Sequence, residues 1–125
     1  MSMYGLQQQA HEMAVGKGWW PEPRDAYGDL RLTHKDIVTR LALIHSEVSE
    51  AVEAVRDDGV DERIDHNFPN ADGLGKPEGL PSELADIVIR TLDLAGALGI
   101  NLRESIERKM AYNAGRTHRH GGRKL

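Results

Sequence analysis

Apolar positions recur along this chain at the spacing of helices. Between His34 and Asp57, successive residues placed about 100° apart bring Ile37, Leu41, Ile44, Val48, Ala51, Val52 and Val55 onto one face. From Ser82 to Leu98 the apolar surface is wider. Leu84, Ile87, Val88, Leu92, Ala95 and Leu98 form it, Ala85, Ile89 and Leu94 extend it, and only the strip Glu83, Asp86, Arg90 and Asp93 stays polar. A helix apolar nearly all round is buried on several sides, either central in a bundle or in an oligomer interface. A first helix is expected from Tyr4 to Gly16, closed by Gly16-Lys17-Gly18, and a fourth from Asn101 to Ala114, stopped by Gly115. Thr33 with Asp36, Ser82 after Pro81, and Asn101 with Glu104 supply the expected N-caps. Proline keeps the segment after Trp19 and Trp20 out of helix, and residues 58–81, rich in Gly, Pro, Asn and Asp, show no sustained period and read as a long loop. The fold class is therefore all-α: four helices in one domain over residues 1–115, with a tail over 116–125.

Composition narrows this picture. The 125 residues suffice for one modest core. The absence of cysteine excludes disulfides, thiolate catalysis and cysteine-based zinc sites. No apolar run approaches the roughly 20 residues that span a bilayer, and the N-terminus lacks a signal-peptide pattern, so a soluble cytoplasmic protein without a membrane partner is expected. Four of the 16 Lys and Arg lie in the last ten residues, which hold no acid, leaving 12 basic against 20 acidic side chains in residues 1–115. An acidic body with a basic tail argues against a nucleic-acid polymer as partner and leaves room for a compact anion bridged by metal.

The acids carry the candidate chemistry. Glu47 and Glu50 sit on the shoulder of the second helix's apolar face, while Glu53 falls on the wetter side with Ser46 and Ser49. Glu83 and Asp86 lie on the only polar strip of the third helix. Each pair has i, i+3 spacing, which puts two carboxylates on neighbouring turns. Solvated acids are the ordinary meaning of one such pair. Two pairs beside apolar faces demand a partner, because buried like charges cost several kcal/mol unless compensated. Arg90 can neutralise one of them, and Asp93 is a candidate supporting residue. Clustered carboxylate oxygens on facing helices suit Mg²⁺ or Mn²⁺.

Glu47-Val-Ser-Glu50 followed by Glu83-Leu-Ala-Asp86 resembles the ExxE…ExxD signature of the MazG-like, all-α NTP pyrophosphohydrolases. The surrounding Ile44–Ala51 and Glu83–Arg90 segments, Lys109-Met-Ala-Tyr-Asn113, the ending Asn113-Ala-Gly-Arg116, and His11–Trp19 are similar to small bacterial and phage members. The resemblance covers nearly the whole chain, and the segment between Glu50 and Glu83 is longer than is usual in that family. It implies a four-helix, bundle-like fold assembled as dimers or dimers of dimers. It also implies hydrolysis of a nucleoside triphosphate to the monophosphate and pyrophosphate, with Mg²⁺ bound by Glu47, Glu50, Glu83 and Asp86. Glu50, together with Glu47, is the expected catalytic carboxylate, with Glu50 as the base.

Lys109, Asn113 and Arg116 recur at helical spacing and can supply donors to phosphates, or simply make a cationic last turn. Trp19 can stack on a nucleobase, although tryptophan more often seals a core, and Lys17 before it can reach a phosphate. His118 and His120 lack a typical metal-pair spacing and read as tail. An inactive helical module of the same fold, a sister reaction such as phosphoribosyl-ATP hydrolysis, and an acidic cation buffer are the competing readings.

Overall fold

The computed structural model describes residues 1–20, 32–69 and 73–116. Four α-helices and one small antiparallel hairpin account for the regular structure of these residues. They run α1 (Met3–Gly16), α2 (His34–Asp58), β1 (Glu62–Asp65), β2 (Lys76–Gly79), α3 (Leu80–Ala97) and α4 (Leu102–Ala114).

The helix starts follow local chemistry. Ser2 accepts from the Gly5 amide at α1. At α2, the Thr33 hydroxyl accepts from the Asp36 amide while the Asp36 carboxylate accepts from the Thr33 amide, a complete capping box. At α4 only half of that motif forms. Asn101 accepts from the Glu104 amide, but the Glu104 carboxylate turns to Arg108 at 2.7 Å.

Two expectations about residues 58–82 are corrected. A hairpin with two four-residue strands occupies part of the expected loop, with Glu62 opposite Gly79, Arg63 opposite Glu78, Ile64 opposite Pro77 and Asp65 opposite Lys76. Ser82 does not cap α3. The helix begins earlier, after Gly79, with Pro81 in its first turn, and the Ser82 hydroxyl instead donates to the Pro77 carbonyl.

α3 is the shared element, packing against α1 along one side and α2 along another, but its apolar surface is covered only in part: Leu84, Ala85, Val88 and Ile89 are exposed while the polar strip Glu83, Asp86, Arg90 and Asp93 is partly or fully buried. α4 rests mainly on α1 and has no buried residue. The core is thin. Ala14, Trp20 and Leu94 form its centre, with Val15, Leu32, Ile44, Ala97 and Leu98 packed around them.

On α2 the buried face differs from the apolar one. Ile44, Glu47, Ala51 and Ala54 turn inward, with Glu47 and Ala51 buried, while Leu41, Val48, Val52 and Val55 stay exposed. Glu47 is therefore a central residue of the α2–α3 contact. Among the described residues no helix is long and apolar enough to cross a membrane.

Candidate metal centre

The acids reach one place because two helix starts fix their phase. The capping box at Thr33 sets α2, and Gly79 sets α3. Gly79 has φ 101°, and a Cβ there would lie 2.3 Å from the Asp61 carbonyl oxygen, so the strand can turn into the helix only with glycine at that position. Glu83 follows in the first turn and Asp86 one turn later.

Glu47, Glu83 and Asp86 each offer a carboxylate oxygen, and the three oxygens lie within 4.8 Å of one another. Glu47 is buried, and Glu83 and Asp86 are half-buried. Arg90, one turn beyond Asp86, donates through Nε to Glu47 Oε1 at 2.7 Å. One guanidinium facing three carboxylates leaves uncompensated negative charge. Glu83 Oε2 is buried without a hydrogen-bond partner.

The titration of these groups reflects that crowding. Burial pushes the Glu83 carboxyl above its ordinary range, and the charges of Glu50, Asp86 and Glu47 and a hydrogen bond with Glu50 add to the effect. Burial and then Glu47 push Asp86 upward too, opposed by the charges of Arg90 and Lys76. An all-oxygen donor set with one orphaned oxygen could hold a metal ion, and its chemistry suits a hard divalent cation.

Glu50, expected as a fourth ligand, is exposed beside Glu83 and lies outside the tight group of three. It lines an open cleft of about 370 Å³ with Glu83, Asp57, Asp58, Arg63 and Glu78. Glu53 borders the same cleft and pairs with Arg56 at 2.8 Å on the exposed side of α2.

Asp93 belongs to a different cluster. Its Oδ1 accepts from Trp20 Nε1 at 2.8 Å and lies 2.9 Å from His11 Nδ1, tying α1 and the following segment to α3. Asp93, Arg90 and Trp19 line a second cavity of about 300 Å³ together with Ala10, Ala14 and Ile89. Trp20 is buried, whereas Trp19 is 55% exposed. Arg90 thus has one end on the acid group and a side on this cavity.

Lys109, Asn113 and Arg116 stand on or just beyond exposed α4. The Lys109 ammonium and the Arg116 guanidinium lie 5.4 and 5.8 Å from the Tyr112 ring centroid. None of the three lines the cleft beside Glu50 or the cavity beside Arg90, nor does Lys17. His118, His120 and the tail beyond Arg116 lie outside the described residues.

Sequence reasoning did not single out Arg40 or the hairpin cations. Arg40 stacks over the Trp20 ring at 4.0 Å, donates to the Trp19 carbonyl, and lines the second cavity. Its place on α2, one turn before Ile44 on the inward face, was the available signal. No family model matches the chain, and no curated protein or solved structure matches it either.

Proposed function

We propose that the chain is a divalent-metal hydrolase acting on a phosphoric anhydride. Within that class it is read as a MazG-like nucleoside triphosphate pyrophosphohydrolase, working as a homodimer or homotetramer in the cytoplasm, in nucleotide-pool control or house-cleaning. The observation that carries this is the convergence of Glu47, Glu83 and Asp86 from two helices with a buried, unpartnered Glu83 oxygen among them. The ordered motifs Glu47–Glu50 and Glu83–Asp86 supply the particular reaction by resemblance.

Glu47, Glu83 and Asp86, with Glu50 at their border, would hold Mg²⁺ or Mn²⁺. Such an ion neutralises phosphate oxygens and lowers the pKa of a water bound to it. Arg90 keeps the buried Glu47 carboxylate in one orientation, as outer partners of ligating carboxylates do. Glu50 is open to the cleft and is the group assigned to take the proton of the attacking water. Water adds to the α-phosphorus as the bond to the bridging oxygen breaks, giving the monophosphate, pyrophosphate and a proton. Trp19, which lines the cavity that Arg90 shares, is assigned to the nucleobase, and Lys109, Asn113 and Arg116 of exposed α4 and its end are assigned as hydrogen-bond donors to the phosphates from a second subunit.

Incubation with Mg²⁺ and a panel of NTPs and dNTPs, with pyrophosphate resolved from orthophosphate, tests this reading. Pyrophosphate with the monophosphate is expected, and Glu50→Gln should lower kcat at least ~100-fold with helicity unchanged. Orthophosphate as the sole phosphate product, or full activity in the variant, would contradict the assignments of bond and base respectively.

A further inference from the structure

The hairpin brings cations to the acid group that the helices do not supply. Side chains alternate between the two faces of a strand, so Lys76 and Glu78 share a face, and Arg63, directly opposite Glu78, shares it too. Arg63 and Glu78 line the cleft that also contains Glu50 and Glu83, and Lys76 stands at its border through its contact with Glu78. Both hairpin strands pack against α3, and β2 also packs against α2, so the arm is seated on the two helices that carry the acids.

The arm is locked in a definite way. Arg63 places Nη2 2.8 Å from Glu78 Oε2 and Nε 3.1 Å from Asp58 Oδ2 at the end of α2. Glu78 Oε1 is left for Lys76, whose ammonium lies 3.4 Å away and over the Phe68 ring at 5.8 Å. Lys76 is 59% exposed, so its ammonium remains open to a ligand.

We infer that Lys76 is a phosphate-binding residue of the acid site, held in place by Glu78, with Arg63 as the positioning residue that fixes Glu78. A polyphosphate brought to an acidic cleft by a divalent ion still needs fixed cations for the oxygens that the ion does not reach. A lysine ammonium is a compact point charge on a flexible stem, suited to meeting a phosphate oxygen without a bidentate geometry, and Lys76 sits on the strand directly before α3. The inference rests on the phosphoanhydride reading of the site but commits to a residue that reading leaves unassigned.

Calorimetric titration of the whole chain with magnesium tripolyphosphate, and separately with Mn²⁺ alone, separates the two claims. Lys76→Met should weaken tripolyphosphate binding on the order of tenfold and flatten its salt dependence. Mn²⁺ affinity should hold or rise, and Lys76→Arg should restore most of the loss. With an NTP substrate, KM should rise by a similar factor with little change in kcat. Equal tripolyphosphate affinity in the wild type and Lys76→Met would overturn the inference, as would a wild type that binds Mn²⁺ but no tripolyphosphate. Tripolyphosphate binding that depends on Lys76 in a chain that hydrolyses no nucleotide would sustain the inference while overturning the proposed reaction.

Discussion

At the scale of single residues, the acid group is a store of unfavourable charge. Glu83 Oε2 is buried without a partner, and Glu50, Asp86 and Glu47 all act on this carboxyl. A carboxyl whose pKa is higher in the folded chain than in the unfolded one holds its proton more tightly when folded. Stability from such a group is complete below the unfolded value and is lost as pH rises through the folded value. For Glu83 and Asp86 the loss starts near the ordinary values of 4.5 and 3.8 and extends upward. Solvent screening of this half-buried group keeps the effect small, so Glu83→Gln should raise the metal-free Tm at neutral pH by about one or two degrees. Melting curves in chelator from about pH 4 to 8 should show the gap between variant and wild type widening with pH. A gap that narrows with pH, or a variant less stable at pH 7, would contradict the account.

At the scale of elements, capping chemistry and periodicity made the four helices legible. Thr33 and Asp36 mark the start of α2 as the sequence pattern suggests, and the wide apolar surface of α3 corresponds only in part to its two helical neighbours, since Leu84, Val88 and Ile89 stay exposed. The hairpin was not legible. Its strands are four residues each, Glu62–Asp65 and Lys76–Gly79, with one β-branched residue between them and a proline, so neither alternation nor composition exposes them. The role of Glu47 was legible only in part. The apolar residues of α2 point toward Leu41, Val48, Val52 and Val55, whereas packing on α3 uses the neighbouring stripe centred on Glu47 and Ala51. A charged residue at the centre of a helix contact runs against the hydrophobic rule, and such departures are expected where a site is built. The junction between hairpin and α3 depends on Gly79, which has positive φ and no room for a side chain. Gly79→Ala should cost at least ~2 kcal/mol in urea unfolding and weaken metal affinity, because it displaces the turn that carries Glu83. Unchanged stability would show that the junction relaxes freely.

At the scale of the whole molecule, the single chain leaves much apolar surface uncovered. Leu41, Val48, Val52 and Val55 of α2 and Leu84 and Val88 of α3 are all exposed, Val88 by 54%, while α4 contributes no buried residue. Surface of this kind is characteristic of chains that assemble, and symmetric copies are the commonest partners. Light scattering should give a mass of at least two 13.9-kDa chains, and Val88→Asp should shift it toward one. A wild-type monomer at micromolar concentration would contradict homo-oligomerisation and, with it, the approach of Lys109, Asn113 and Arg116 to the site from a second subunit.

These scales meet in the three carboxylates between α2 and α3. Titration of Mn²⁺ into the metal-free chain, comparing wild type with Glu83→Gln, tests them most directly. Saturable binding in the wild type that weakens at least ~10-fold in the variant is the predicted result. Equal binding by the two proteins, or none by the wild type, would contradict a metal centre at Glu47, Glu83 and Asp86.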